Sequence, residues 1–170
     1  MNGTHFVSSP LGGILLSSDG THLTGLRFTE QTPDEGKPCS LSIFEQTERW
    51  LDCFFSGRAP SFTPPLMIEA SPFCRVVYEA ILSIPFGQTA TYGEIASLIE
   101  RMSGRPSVLP RAVGRTIGRN PISLIIPCHR VIGADGRLTG YAGGLWRKER
   151  LLALEGAVIS DGIVKGRRET

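Results

Sequence analysis

From Ser71 onward the chain is punctuated so that only short helices fit, and this constrains its fold more than any other feature. Ser71-Pro72 reads as an N-cap followed by proline at the first helical position, where a missing N–H costs nothing. Phe73, Val76, Val77, Ala80 and Ile81 then recur at the spacing of one apolar helix stripe. Pro85-Phe86-Gly87-Gln88 breaks the chain. Thr91 and Glu94 have the spacing of a capping box, and Tyr92, Ile95, Ala96 and Ile99 supply the next apolar face. Residues 101–110 contain Gly104, Pro106 and Pro110 and connect rather than continue. A short helix is predicted over 111–118 and ends at Asn120-Pro121. Residues 122–126 read as a short extended apolar run leading into Pro127-Cys128-His129-Arg130. The last helix is predicted over 145–155, with Gly156 in the C-cap position. The tail beyond Gly156 carries no readable signal. Helices this short are marginal alone and must bury their apolar faces against one another.

The first seventy residues have a different texture. Residues 6–8 and 13–16 are short apolar runs, Ser17-Ser18-Asp19-Gly20 is a turn signal, and residues 22–28 alternate loosely, so a hairpin is predicted. Residues 30–40, rich in proline, glycine and charge, read as a loop. Ser42 with Glu45 suggests a capping box before Ile43, Thr47, Trp50 and Phe54, and Gly57 closes that helix. Residues 61–65 are the expected linker. The expected class is α+β: an N-terminal part over 1–63 with a small sheet and a helix, and a helical C-terminal part over 64–170. There is no internal repeat and no low-complexity tract.

Charge divides the chain in the same way. Residues 1–70 hold four Lys/Arg against eight Asp/Glu, whereas residues 71–170 hold fourteen against eight. The sign change makes nucleic acid the first candidate partner of the C-terminal part, with a solvated basic surface as the alternative. Arg111, Arg115 and Arg119 recur every four residues, so one face and the end of the predicted 111–118 helix carry three guanidinium groups. With the helix over about 91–100, this pair suggests a helix-turn-helix. Apolar residues make up 41% of the 170, yet no stretch approaches the length of a membrane-spanning helix. The N-terminus MNGTHFVSSPLGG lacks the basic start and apolar run of a secretory signal, so a cytoplasmic location is expected, or a nuclear one in a eukaryote.

Four cysteines stand at Cys39, Cys53, Cys74 and Cys128, with no CxxC pair and no zinc-ligand spacing, so neither a metal nor another cofactor is expected. Cys128 is singular because His129 follows it. A thiol near its ordinary pKa is mostly protonated at neutral pH and needs a base, and an imidazole oriented by a carboxylate can serve. Glu155, ending the last helix, is the candidate carboxylate. Inert burial remains the reading for the other cysteines, and His5 and His22 read as ordinary surface or turn residues.

The run Asn120-Pro121-Ile122-Ser123-Leu124-Ile125-Ile126-Pro127-Cys128-His129-Arg130-Val131-Ile132-Gly133 resembles the active-site signature of O6-alkylguanine-DNA alkyltransferases. Arg111-Ala112-Val113-Gly114 before it, Gly140-Tyr141-Ala142-Gly143-Gly144 after it, and the stretch from Lys148-Glu149 to Leu154-Glu155-Gly156 extend the likeness. It covers residues 70–156 closely and the N-terminal part loosely. The resemblance implies a ribonuclease H-like N-terminal domain. It implies a DNA repair protein that turns O6-alkylguanine out of double-stranded DNA and transfers the alkyl group irreversibly to Cys128, once per molecule, as a monomer without cofactor. Whether O4-alkylthymine is also a substrate stays open.

By resemblance, His129 is the base for Cys128 through a water, Glu155 completes the relay, and Asn120 braces the turn between recognition helix and active-site strand. Tyr92 presses on the phosphate 3′ to the target, and Arg111 fills the gap left in the stack. Ala112 and Gly114 let the helix approach the minor groove, while Arg115 and Arg119 meet phosphates. Tyr141 offers its hydroxyl to guanine N3, the Ala142 N–H meets O6, and the carbonyls of Cys128 and Val131 receive the exocyclic amine. Gly143 leaves room beside the alkyl group. The chain departs from the family pattern in a longer segment between Tyr92 and Arg111, in Pro110, in Arg115-Thr116-Ile117-Gly118, and in Cys74 and Tyr78. Two other classes fit parts of the pattern: a binding module that recognises the lesion without repairing it, and a cysteine hydrolase. Cys128 argues against the first and the basic helix against the second.

Overall fold

A computed structural model describes residues 3–31 and 40–167. The contacts divide the chain into two units, Met1–Glu69 with Pro121–Ser123, and Ala70–Asn120 with Leu124–Thr170.

In the first unit, β1 (Gly3–Ser9), β2 (Gly12–Ser18) and β3 (Leu23–Thr29) form an antiparallel meander with β2 in the centre. The sequence suggested a hairpin; a third strand is present because residues 3–9 pair along their whole length with 12–18. Ile14 and Leu16, alternate residues of β2, are fully buried with Leu23 and Leu26. Helix α1 (Ser42–Phe55) lays Ile43, Phe44, Thr47, Trp50, Leu51 and Phe54 on this core. The capping box suggested at Ser42 does not form. The N-cap is Leu41, and Ser42, one residue inside the helix, accepts from Gln46 Nε2 at 3.2 Å. The suggested loop at 30–40 lies mostly outside the described residues, as does Cys39. Residues beyond the expected linker stay with this unit: Leu23 N donates to Pro65 O, and Met67 N to Leu23 O. Pro121–Ser123 also belong to it, because Leu26 N donates to Pro121 O and Ser123 N to Leu26 O.

The second unit packs α2 (Pro72–Leu82), α3 (Tyr92–Ser103) and α4 (Pro110–Ile117) on one another through Val77, Ala80, Ile81, Ile95, Ala96, Ile99, Val113 and Ile117. The N-caps of α2 and α3 are the expected ones, whereas the last helix has Glu155 at its C-cap and the Gly156 expected there stands one residue further on at φ 94°. Ser71 accepts from Cys74 N, and Thr91 and Glu94 close both bonds of a capping box. Helix α3 runs three residues past the predicted end, to a left-handed Gly104, and the segment after it is tied back by Val108 N to Glu100 Oε1 at 2.7 Å. Two-residue strands β4 (Ala90–Thr91) and β5 (Val131–Ile132) pair in parallel, and α5 (Leu145–Leu154) follows. The tail forms a further hairpin, β6 (Ala157–Ser160) and β7 (Ile163–Arg167). Its Ile159 and Val164 pack on Ile132, Leu138, Leu152 and Ala157. Among the described residues no helix is long and apolar enough to cross a membrane.

Candidate active site

The expected extended run before Cys128 is a turn. Ile122 makes a single bridge, and Leu124 adopts a left-handed φ of 70° while fully buried. A non-glycine residue held there is strained, and it stays only because its surroundings leave its side chain nowhere else to go. Pro127, at φ −81° and ψ 62°, then makes an inverse γ-turn, with Cys128 N donating to Ile126 O at 2.7 Å. These two bends deliver Cys128, His129 and Arg130 on a single 3₁₀ turn, all buried.

Asn120 locks the bend from its other end. Its Nδ2 donates to Ile126 O at 2.9 Å and to Cys128 Sγ at 3.2 Å. The amide thus braces the turn and presents a donor to the sulfur. Cys128 is 4% exposed, and burial raises its pKa although Asn120 and the Lys148 ammonium act in the opposite sense. The resting group is therefore a thiol at neutral pH, and deprotonation must be part of any reaction it performs.

The base is adjacent. His129 is fully buried, with Nε2 at 2.8 Å from Glu155 Oε1. A carboxylate opposite Nε2 fixes the tautomer: Nε2 carries the proton and Nδ1 the lone pair. Burial lowers the His129 pKa more than Glu155 raises it, so the ring is neutral and able to take a proton. Burial works against the charge of Glu155, but the bonds from His129 and Arg130 outweigh it and hold the carboxyl below its ordinary range. Arg130 donates to both carboxylate oxygens at 3.0–3.1 Å and to Ile84 O at 2.6 Å, and Gly87 N adds a bond to Oε2 at 2.9 Å.

Lys148, also fully buried, donates to Val131 O at 2.5 Å, Thr139 O at 2.7 Å and Gly140 O at 3.3 Å. Burial brings its pKa down to about 8, against the pull of Cys128. The Val131 carbonyl expected to receive a ligand amine thus already holds one donor, and its second lone pair is the one a ligand would use. The Tyr141 hydroxyl is buried with no hydrogen-bond partner among the described residues. Burial and the nearby Cys128 push its pKa well up, so it is a phenol that can only donate or accept as a neutral group. Ala142 is exposed and Gly143 half-buried on the same loop.

A second group of expected residues gathers on the α3–α4 surface. Tyr92 opens α3, and its hydroxyl donates to Thr139 O at 3.3 Å. Gly114 lies against the Tyr92 ring, where a Cβ would stand 3.5 Å away, in ordinary van der Waals contact. Tyr92, Pro110, Arg111, Gly114 and Arg115 line one open, mostly apolar depression. Arg111, Arg115 and Arg119 are exposed, and Ala112 is half-buried. Arg105 in the longer connecting segment turns its guanidinium over Phe73 at 5.8 Å. Arg130, Lys148 and Arg147 were not singled out from the sequence as site residues. Arg130 and Lys148 stand inside the quoted motifs, but no sequence pattern marks these cations as buried. Among the described residues no group of His, Cys, Asp and Glu could hold a metal ion.

The class defined by fold and site is thus an α+β protein with a basic helix pair and a buried Cys–His–Glu chain braced by an asparagine. Residues 72–157 match the family model for the DNA-binding domain of 6-O-methylguanine DNA methyltransferases, and residues 4–68 the one for their ribonuclease-like domain. The chain is 42% identical over 158 residues to a methylated-DNA–protein-cysteine methyltransferase of Mycobacterium tuberculosis, covering 88% of this chain and 89% of that protein. A protein of the same name from Methanosarcina acetivorans is 44% identical over 154 residues, covering 88% and 95%. The crystal structure of the Mycobacterium tuberculosis protein in complex with DNA superposes with a TM-score of 0.77 at 42% identity, covering 89% of this chain and 91% of that one. The chain belongs to the 6-O-methylguanine DNA methyltransferase family.

Proposed function

We propose that this chain repairs O6-alkylguanine in double-stranded DNA by transferring the alkyl group to Cys128, once per molecule. The observation that carries the reading is the chain of contacts from Asn120 to Cys128 and from His129 to Glu155, on the same unit as the basic face of α4. The target carbon hangs on a base edge inside the duplex while Sγ is buried, so the nucleotide must be turned out to reach it. Arg111 takes the vacated place in the stack, Tyr92 bears on the phosphate beside it, and Arg115 and Arg119 meet phosphates. Ala112 and Gly114 keep the helix surface low against the minor groove.

In the pocket the Tyr141 hydroxyl gains the partner it lacks, at guanine N3. The Ala142 N–H faces O6, the Cys128 and Val131 carbonyls take the amine, and Gly143 leaves room for the alkyl group. The thiol proton passes through a water to His129 Nδ1, and Glu155 stabilises the imidazolium. The S–C bond forms as the C–O6 bond breaks. The bonding pair goes to O6 and the purine ring, which takes up a proton equivalent to the one the thiol lost. A thioether has no hydrolysable acyl carbon, so the protein is spent.

Every group in this relay comes from one unit of one chain, so it acts as a monomer. Binding and transfer fall to the C-terminal part, expected over 64–170 and beginning at Ala70 by its contacts. A free Cys128 requires a reducing compartment, the cytosol or, in a eukaryote, the nucleus. Mass spectrometry after mixing with duplex O6-methylguanine tests the reading. One methyl adduct on Cys128 per molecule is expected, with product reaching a plateau at about one equivalent. Cys128→Ala should bind DNA and form none. Continued turnover without adduct would indicate a hydrolase, and binding without any chemistry a lesion sensor.

A further inference from the structure

The loop over 139–144, which carries Tyr141, Ala142 and Gly143, is gripped by two consecutive cations of α5. Lys148 holds its beginning through the carbonyls of Thr139 and Gly140. Arg147 holds its end: Nη1 donates to Gly143 O at 3.0 Å. The guanidinium also lies over the Trp146 ring, 4.4 Å from its centre. The same indole covers Gly144, where a Cβ would stand 3.3 Å from Cδ1 and 3.4 Å from Nε1. Trp146 is 53% exposed and its neighbour Leu145 49%, whereas Arg147 is 7% exposed. The indole therefore does not fill a core. It shields the face of a guanidinium and caps the loop's last glycine. A partly desolvated cation on an indole is held firmly, and its fork is aimed by the stack.

We propose that Trp146 and Arg147 form a stacked clamp that fixes the width of the alkyl pocket and thereby sets which alkyl groups Cys128 accepts; the proposal rests on the alkyl-transfer reading. Both are positioning residues that act through the Gly143 carbonyl and Gly144, not on the reacting atoms. Arg147 also bears on the loop electrostatically, opposing the effects of burial and Cys128 on the Tyr141 hydroxyl. A methyl group fills little of the pocket, so its carbon meets Sγ in line only if the loop holds the purine in place. A benzyl group packs its own ring against the walls and is located by that contact. Loosening the loop therefore penalises methyl transfer more than benzyl transfer.

Single-turnover rates on one duplex bearing either O6-methylguanine or O6-benzylguanine test this with Trp146→Ala, Trp146→Phe, Arg147→Met and Arg147→Lys. Trp146→Ala and Arg147→Met should slow methyl transfer about tenfold and benzyl transfer less than about threefold, lowering the methyl-to-benzyl ratio. Trp146→Phe keeps an aromatic face and should keep the ratio. Arg147→Lys keeps the charge without the planar fork and should lower the ratio partway. An unchanged ratio in both Trp146→Ala and Arg147→Met overturns the clamp, whether the two rates fall together with the unfolding midpoint or not at all. Failure of the underlying reading looks different, because the unsubstituted protein would then form no Cys128 adduct with either duplex.

Discussion

Cys128 rests as a thiol because burial disfavours its charge, and His129 rests neutral for the same reason. Two neighbouring groups whose pKa values are pushed apart in this way form an acid–base pair that stays idle until a substrate excludes the remaining water. Glu155 is the pivot, since one carboxylate orients His129 and neutralises Arg130. Glu155→Gln keeps the shape but removes the charge that both partners use. Leaving Arg130 as a buried cation should lower stability by about 3 kcal/mol. Transfer should slow by about two orders of magnitude, because the imidazolium loses its support. Urea unfolding and single-turnover repair measure the two effects. Unchanged stability would show that Arg130 is satisfied by the Ile84 carbonyl and by the Phe86 ring, whose centre lies 5.7 Å from its guanidinium carbon.

At the scale of elements, the recognition pair and the site differ in how legible they were. Capping at Ser71 and Thr91 was readable because cap residues satisfy local backbone donors, a purely sequential affair. The turn over 122–126 was not. An apolar run looks extended, and nothing local announces that Leu124 turns left-handed; that depends on where the two ends of the run are tied. The tail hairpin was readable and missed: Asp161-Gly162, both at positive φ, is the dipeptide that tight hairpins favour. Helix α5 carried another clue in its charges. It has no acidic residue in its first turn, Arg147 and Lys148 stand there instead, and Glu155 sits at its C-cap. All three oppose the helix dipole, and a helix charged against its own field is using those charges elsewhere. Exposed Arg111 near the start of α4 is the element's working part. Unstacking a base costs a few kcal/mol, so if Arg111→Ala forfeits about 2–3 of these, duplex repair slows about thirty- to 150-fold. Reaction with free O6-benzylguanine, which has no stack to leave, should be nearly unchanged. Equal slowing of both would reassign Arg111 to the fold, whereas Arg115→Ala and Arg119→Ala should mainly reduce the salt dependence of binding.

At the scale of the whole molecule, the buried site groups couple stability to pH, and the reaction should change that coupling in one direction only. Glu155 has a lowered folded pKa, so its contribution is complete above the ordinary carboxyl range and is lost as pH falls through the lowered value. His129 is also lowered. The unfolded chain takes up a proton below about 6.5 that the folded chain refuses, so stability declines from there toward the lowered folded value. Both effects weaken the protein on the acid side. Lys148, down at about 8 from 10.5, sheds its proton earlier when folded, so stability rises with pH between those values. Cys128 acts oppositely: the unfolded thiol ionises near 9.0 while the folded one keeps its proton, so stability falls as pH rises above that point. An alkylated Cys128 no longer titrates. Relative to the unreacted protein, the alkylated one should therefore gain about 1.4 kcal/mol of stability per pH unit above pH 9, until the folded thiol ionises. Below pH 8 the difference between the two forms should be independent of pH, because Glu155 and His129 titrate alike in both. Urea midpoints of both forms across pH 5–10 measure this. Parallel curves on the alkaline side would mean that burial does not hold the folded thiol above 9.0, and curves that diverge below pH 8 would mean that Cys128 already rests as a thiolate, its deprotonation preceding the encounter with DNA.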